Sequence, residues 1–289
     1  MSKGKDRVLA GDYSKYDVRM PAQVTLAAFD ILLDIARQCD GYTSEDIALM
    51  EAVVSEMVYP FIAYNGDLLQ LFGTNPSGQN LTVIVNSLVN VLLLRCAFYT
   101  IYPDKDFKES CSFMTYGDDV IGTVAQDCPL FNHLSYASFL GEHDMVFTMP
   151  DKESTPTEYM QEKDVDFLKR KCVMNDDLGC KVGLLSEESI FKRLHSHLVS
   201  KELSLEMHSA TNIDSCLHDW FYYGREVFED RRSKLLQVAK ACDIENYCQG
   251  FEVSYEQRVL NWRHKYLGED LEEVSEILLD AHCDINPSR

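Results

Sequence analysis

A chain of 289 residues, 46% of them hydrophobic, can bury a sizeable core as one large domain or two smaller ones, and its dispersed charges show no low-complexity tract or fixed-period repeat, which excludes disorder and repeat architectures. The formal net charge of −20 is unfavourable for binding a nucleic acid, because phosphate backbones are held mainly by Lys and Arg. Ten cysteines include no C-x-x-C pair, and the nearest two, Cys242 and Cys248, lack a matching His cluster, so reduced, mostly buried thiols are expected in place of disulfides or a structural metal.

In chain order, Met1 to Arg7 lacks the apolar core of a signal peptide. Val8-Leu9-Ala10 reads as a short strand leading into Asp12, and Pro21 suits the first turn of a helix through about Gln38, with Val24, Ala27, Ala28, Ile31, Leu32 and Ile35 as its packing face. Thr43 caps a second helix from Ser44 to Val58. Asn65-Gly66 satisfies the positive φ values of a tight hairpin turn between Phe61–Tyr64 and Leu68–Phe72. After a loop from Gly73 to Gln79, a long apolar helix runs from about Asn80 to Thr100. It approaches membrane-spanning length, but Asn86, Ser87, Asn90 and Arg95 interrupt it and favour a buried helix. A hairpin over Cys111–Val124, a helix from near Pro129 and a strand around Met145–Thr148 follow. Cys172–Leu185 forms another hairpin through Asn175–Gly179. Beyond Ser186 helical patterns dominate to Ala281, and the acidic run from Glu269 to Asp280 reads as a solvated helix face.

The most telling segment is Tyr116-Gly117-Asp118-Asp119, a tight turn that holds two carboxylates between apolar runs, where they can bind hard divalent cations and direct phosphoryl transfer. Its company gives it weight: Gly11-Asp12-Tyr13-Ser14-Lys15-Tyr16-Asp17 upstream, Pro76-Ser77-Gly78 with Thr82 and Asn86 next, then Asp151-Lys152 and Phe167-Leu168-Lys169-Arg170. In this set and order the sequence resembles the RNA-dependent RNA polymerases of positive-strand RNA viruses, specifically the picornavirus-like superfamily, over nearly the whole chain.

That resemblance implies an α+β fold, a right-hand polymerase palm with an antiparallel sheet packed on helices, followed by a mostly helical thumb. The palm is expected over 1–185, with a small fingers-derived insert at about 39–72, and the thumb over 186–289. Only eleven residues precede Asp12, whereas the family's fingers and their basic motif lie mostly upstream of that aspartate, so most of the fingers are expected to be absent. An absent basic part would also account for the acidic balance.

The resemblance further assigns roles. Asp12 and Asp118 converge on two Mg²⁺ or Mn²⁺ ions, with Asp119 and Tyr13 completing the metal set, and Lys152 protonates the departing pyrophosphate. Asp17 and Asn86, nine positions after Ser77, read the ribose 2′-hydroxyl, which both donates and accepts hydrogen bonds. Ser77, Gly78 and Thr82 form a loop that senses the nascent base pair. Phe167, Leu168, Lys169 and Arg170 form a primer grip on a strand, which Lys192, Arg193, Arg225, Arg231 and Arg232 extend as a basic track.

The implied function is RNA-directed RNA polymerisation in viral genome replication. Its partners would be an RNA template and primer, ribonucleoside triphosphates, a viral peptide primer and other replication proteins, at membrane-associated replication complexes in host cytoplasm. A rival from another class is a truncated, non-catalytic remnant that binds RNA or protein. A reverse transcriptase is disfavoured, because such enzymes typically place a bulky aromatic where Asp17 stands.

Overall fold

The computed structural model describes residues 6–75, 78, 80–197 and 199–269, and it divides into two compact units between Leu168 and Lys169. The expectations for Ser77 and for the acidic run beyond Glu269 lie outside the described residues.

The first unit begins with β1 (Val8–Ser14), a one-turn α1 (Tyr16–Arg19), α2 (Ala22–Arg37) and α3 (Ser44–Val58). Thr43 caps α3 as expected: its side chain accepts from the Asp46 amide while the Asp46 carboxylate accepts from the Thr43 amide. Strands β2 (Phe61–Tyr64) and β3 (Asp67–Gln70) pair across Asn65 and Gly66, whose φ values of 51° and 92° are those the tight turn requires. Then come α4 (Thr82–Ile101), α5 (Phe107–Ser110), β4 (Cys111–Tyr116), β5 (Asp119–Val124), α6 (His133–Gly141) and β6 (Val146–Thr148). Helix α6 starts later than Pro129, because the Asn132 side chain caps it by accepting from Ser135 N–H.

Four strands form one antiparallel sheet in the order β4-β5-β1-β6. Strand alternation divides its faces. Leu9 and Tyr13 of β1, Val120 and Val124 of β5 and Phe147 of β6 join the main core with Phe29 of α2, Val85, Val89, Leu94 and Phe98 of α4, and Tyr136 and Leu140 of α6. Val8 and Ala10 face the other way, against Val165, Ile121 and Met160. Helix α4 has the length and hydropathy of a membrane span, yet here it is the central core helix. Each of its fully buried apolar side chains contributes about 1.5–3 kcal/mol.

The second unit contains the hairpin β7 (Arg170–Asn175) and β8 (Cys180–Leu185), then α7 (Glu187–Leu194), α8 (Leu205–Phe221), α9 (Arg225–Ala241) and α10 (Tyr255–Leu267). Its core joins Leu178 and Val182 of the hairpin region to Ile213, Leu217 and Phe221 of α8, Phe228 of α9, and Tyr255 and Val259 of α10. The hairpin therefore belongs with the helices, and the division falls upstream of the position near 185 read from the sequence. The described cysteines are all reduced, but Cys39, Cys96, Cys172 and Cys242 are exposed, so burial is less general than expected.

Candidate active site

Strand β1 continues past Asp12 to Ser14 instead of ending there. Its ladder with β5 closes at the pair Gly11 and Val120, and the next residue on each strand is an acid, Asp12 on β1 and Asp119 on β5. Alternation puts both on the sheet face of Val8, Ala10 and Ile121. Tyr116 pairs with Asp119 to close the β4–β5 hairpin, leaving Gly117, at φ 65°, and the exposed Asp118 as a two-residue turn. Carboxylates from two distant stretches, Asp12 and the adjacent pair Asp118 and Asp119, thus lie at one end of the sheet.

On the other side of β1, Asp12 pairs with Thr148 of β6, whose hydroxyl donates to the Asp12 carbonyl at 3.3 Å. The chain then turns, with Lys152 N–H donating to Met149 O at 2.9 Å and Lys152 itself at φ 64°. This turn brings Lys152 Nζ to 2.5 Å from Asp12 Oδ2. The Lys152 ammonium is held above its usual pKa, first by that hydrogen bond, then by the Asp12 charge, with Asp118 adding to it. Burial first, and the Asp118 charge among the further causes, also raise the phenol pKa values of Tyr13 and Tyr16. Asp118 is therefore electrostatically close to β1 as well as to Lys152.

Helix α4 fixes the acidic turn through residues whose roles the sequence reading missed. The Asn90 side chain donates to the carbonyls of Gly117 and Asp118 at 3.3 and 3.2 Å and accepts from Tyr13 Oη at 3.0 Å. Ser87 Oγ accepts from Gly117 N–H at 2.8 Å, and Ser87 O accepts from Thr115 Oγ1 at 3.2 Å. The available signal was two polar residues, one helical turn apart, in an otherwise apolar helix. Buried polar groups of that kind hold partners.

The Tyr13 side chain is 4% exposed and its hydroxyl is shared between Asn90 and Tyr136, so the phenol is packed in the core and any metal contact from this residue falls to its main chain.

Asp17, on α1, and Asn86, on α4, are joined through a residue not singled out before. Asn75 N–H donates to Asp17 O at 3.0 Å, and the Asn75 amide donates to Asn86 Oδ1 at 2.6 Å and to Thr82 O at 3.2 Å. Tyr16 Oη adds a bond to Asn86 O at 2.9 Å. Asp17 is exposed and Asn86 is 8% exposed. Gly78, with φ 96°, is exposed at the loop.

The grip segment departs from expectation. Leu168 and Lys169 have φ values of 56° and 59°, so the middle of Phe167–Arg170 is a turn and only Arg170 lies in a strand, as the first residue of β7. Arg170 donates to Gly183 O at 3.0 Å and pairs with the buried Asp219 at 3.1 Å, which commits it to its own unit. The basic track is largely neutralised in the same way: Arg193 pairs with Asp219, Arg225 with Glu256, Arg231 with Glu187 and Asp230, and Arg232 with Glu229.

Among the described residues no three His, Cys, Asp or Glu side chains form a ready metal cage. The reason is visible at Asp12, whose carboxylate is turned onto Lys152. The donors nonetheless fit a hard divalent cation, since they are carboxylate oxygens, and the ammonium on Asp12 is a stand-in for positive charge at that point.

Comparison with known proteins decides the family: a model described as viral RNA-dependent RNA polymerase matches residues 1–239. The chain belongs to the viral RNA-dependent RNA polymerases. Relatives of this polymerase chain include the replicase polyprotein of Drosophila C virus, 26% identical over 245 residues that cover 80% of the chain and 14% of the polyprotein. The RNA1 polyprotein of cherry rasp leaf virus is 29% identical over 254 residues, covering 81% and 11%. The solved Sicinivirus 3Dpol RNA dependent RNA polymerase shares the fold, with a TM-score of 0.66 at 21% identity over 91% of this chain and 52% of its own. The chain thus spans about half of the solved polymerase and a small part of the polyproteins. The fold is that of a polymerase palm followed by a helical thumb.

Proposed function

We propose that this chain carries the catalytic palm and the thumb of an RNA-directed RNA polymerase that adds ribonucleotides to a primed RNA strand during viral genome replication. The observation that carries this reading is the meeting of Asp12, Asp118 and Asp119 at one end of the sheet, with Lys152 on Asp12. Asp12 and Asp118 would hold the divalent ions, with Asp119 supporting them. Bound Mg²⁺ or Mn²⁺ would stabilise the charge that builds on the attacking and leaving oxygens.

The protein's own residues do the rest. Asn90 and Ser87 hold the acidic turn against α4, so the carboxylates are positioned before substrate arrives. Asp17 and Asn86, aligned through Asn75, offer an acceptor and an amide to a ribose 2′-hydroxyl. Lys152 can leave Asp12 and deliver its proton to a departing pyrophosphate oxygen, which matches an ammonium to developing anionic charge.

Primer extension by a polymerase carrying this chain tests the reading. Asp118→Asn removes a ligand charge without changing volume, and it should abolish nucleotide addition while the melting curve is kept. Near-normal extension by this variant would overturn the assignment. The lack of a ready carboxylate cage among the described residues favours a second reading, a remnant that binds RNA without turnover. Wild-type inactivity with intact RNA binding would select it.

A further inference from the structure

In the helical unit, α8 and α10 line an open cleft of about 260 Å³ whose lining includes His218, Arg258, Asn261, Trp262, Lys265 and Tyr266. The five from α10 recur at helical spacing and so share one face. A stripe that serves packing alone is apolar. This one combines two aromatic rings with two cations and an amide. The Trp262 and Tyr266 ring centroids are 5.1 Å apart, and Lys265 Nζ lies 5.0 Å from the Tyr266 centroid. Arg258 donates to Gly250 O at 2.8 Å, while its buried Nε has no hydrogen-bond partner.

The cleft is locally positive in a chain of net charge −20. Burial first, and then the cations Arg258, Arg170 and Lys265, push the His218 imidazole below its usual pKa, against the opposing influence of Asp219. The nearby acids are already engaged. Asp219 pairs with Arg170 and Arg193 at 3.1 and 2.7 Å, and Asp214 accepts from the amides of Gln249 and Gly250 at 2.9 and 2.8 Å.

We propose that this cleft binds one ribonucleotide of unpaired RNA, its base stacked on Trp262 and Tyr266 and its phosphate held by Lys265 and Arg258. Aromatic faces with adjoining cations are the usual recognition elements for single strands, and stacking accepts any base. The volume lies near the lower end of small-molecule sites, about 300 Å³, and so suits one base and not a duplex. Every group invoked lies in the second unit, so the site is independent of the carboxylates on the palm sheet and of divalent cations.

The chain has two tryptophans, and Trp220 is 1% exposed, so a ligand-induced change in tryptophan emission reports on Trp262. Oligouridylate titrated into the full chain in EDTA should quench the emission. In a filter-binding assay, which does not need the reporter, Trp262→Phe should weaken oligouridylate binding, and Lys265→Ala, at an exposed position outside the core, should weaken it by about tenfold. Uridine triphosphate in a parallel arm separates a free nucleotide from a strand: tighter binding of the oligomer supports the proposal, and binding of the triphosphate alone overturns it. An unquenched wild-type chain, an unchanged affinity in Lys265→Ala, or equal quenching by pyrophosphate would also overturn it.

Discussion

Lys152 Nζ sits 2.5 Å from Asp12 Oδ2, joining a lysine on a left-handed turn after β6 to an aspartate on β1 across a strand pair that sequence distance hides. The ammonium takes one oxygen of a carboxylate that the proposed metal site also needs. Under the proposed function, Lys152 and a divalent ion would compete for Asp12 until substrate phosphates draw the lysine away.

Lys152→Leu is accordingly expected to raise Mn²⁺ affinity in a calorimetric titration while slowing nucleotide addition in a single turnover by about 10²–10⁴-fold, the usual worth of a positioned proton donor. RNA affinity should change little. Weaker Mn²⁺ binding in the variant would show that the lysine supports the metal site instead of competing with it.

Asn90→Leu keeps the bulk of the side chain but strands the Gly117 and Asp118 carbonyls and removes a partner of Tyr13 Oη. A loss of about 1–3 kcal/mol is expected from unsatisfied buried groups. It should appear as a lower urea midpoint at unchanged slope, together with faster amide exchange at Gly117. An unaltered exchange rate would mean that the turn holds its shape without α4.

Asp17→Ala and Asn75→Ala should each erode discrimination between a matched ribo- and deoxyribonucleotide by about tenfold, because losing one hydrogen bond costs on the order of 1–3 kcal/mol. Asn75 bonds the Asp17 carbonyl and the Asn86 side chain, so its effect measures positioning of the pair proposed to read the sugar. If Asn75→Ala leaves the ratio intact, Asn86 does not depend on it for orientation.

His133 is 1% exposed, with Nδ1 3.2 Å from Ala10 O and Nε2 without a hydrogen-bond partner. Burial lowers its pKa, against the opposing effect of the Ala10 carbonyl. With the folded pKa below the unfolded value of about 6.5, the unfolded chain binds the proton more readily. The stability this group contributes is therefore present above that value and lost as pH falls through the folded pKa. Urea midpoints should fall more steeply below about pH 6.5 in the wild-type protein than in His133→Phe. Parallel pH profiles would remove His133 as the cause.

Local chemistry made several elements legible before the fold was known. The Thr43 cap and the Asn65-Gly66 turn each depend on residues within a few positions, and both stand in the structure. Helix α2 stands as a helix, but it buries Thr25, Ala28, Phe29 and Leu33, while Ala27, Ile31 and Ile35 of the expected packing face are exposed, because neighbouring elements and not the apolar period decide which stripe is covered. The acidic turn was legible for the same reason, since Gly117 and two aspartates between apolar runs specify a hairpin tip. The Phe167–Arg170 segment failed because alternation over four residues describes a turn as well as a strand. The ion pair of Arg170 was not legible because its buried partner, Asp219, lies far along the chain.

By itself, the sequence determined the order of the acids, the hairpin that presents two of them and the apolar helix that backs them. Tertiary structure decided which groups touch. The strand register set Asp12 beside Asp119, the turn after β6 carried Lys152 to Asp12, and α4 placed Asn90 under the Asp118 carbonyl. Those outcomes depend on side chains brought together by burial of a shared core, and hydrogen bonds that span the fold leave no period or spacing in the chain.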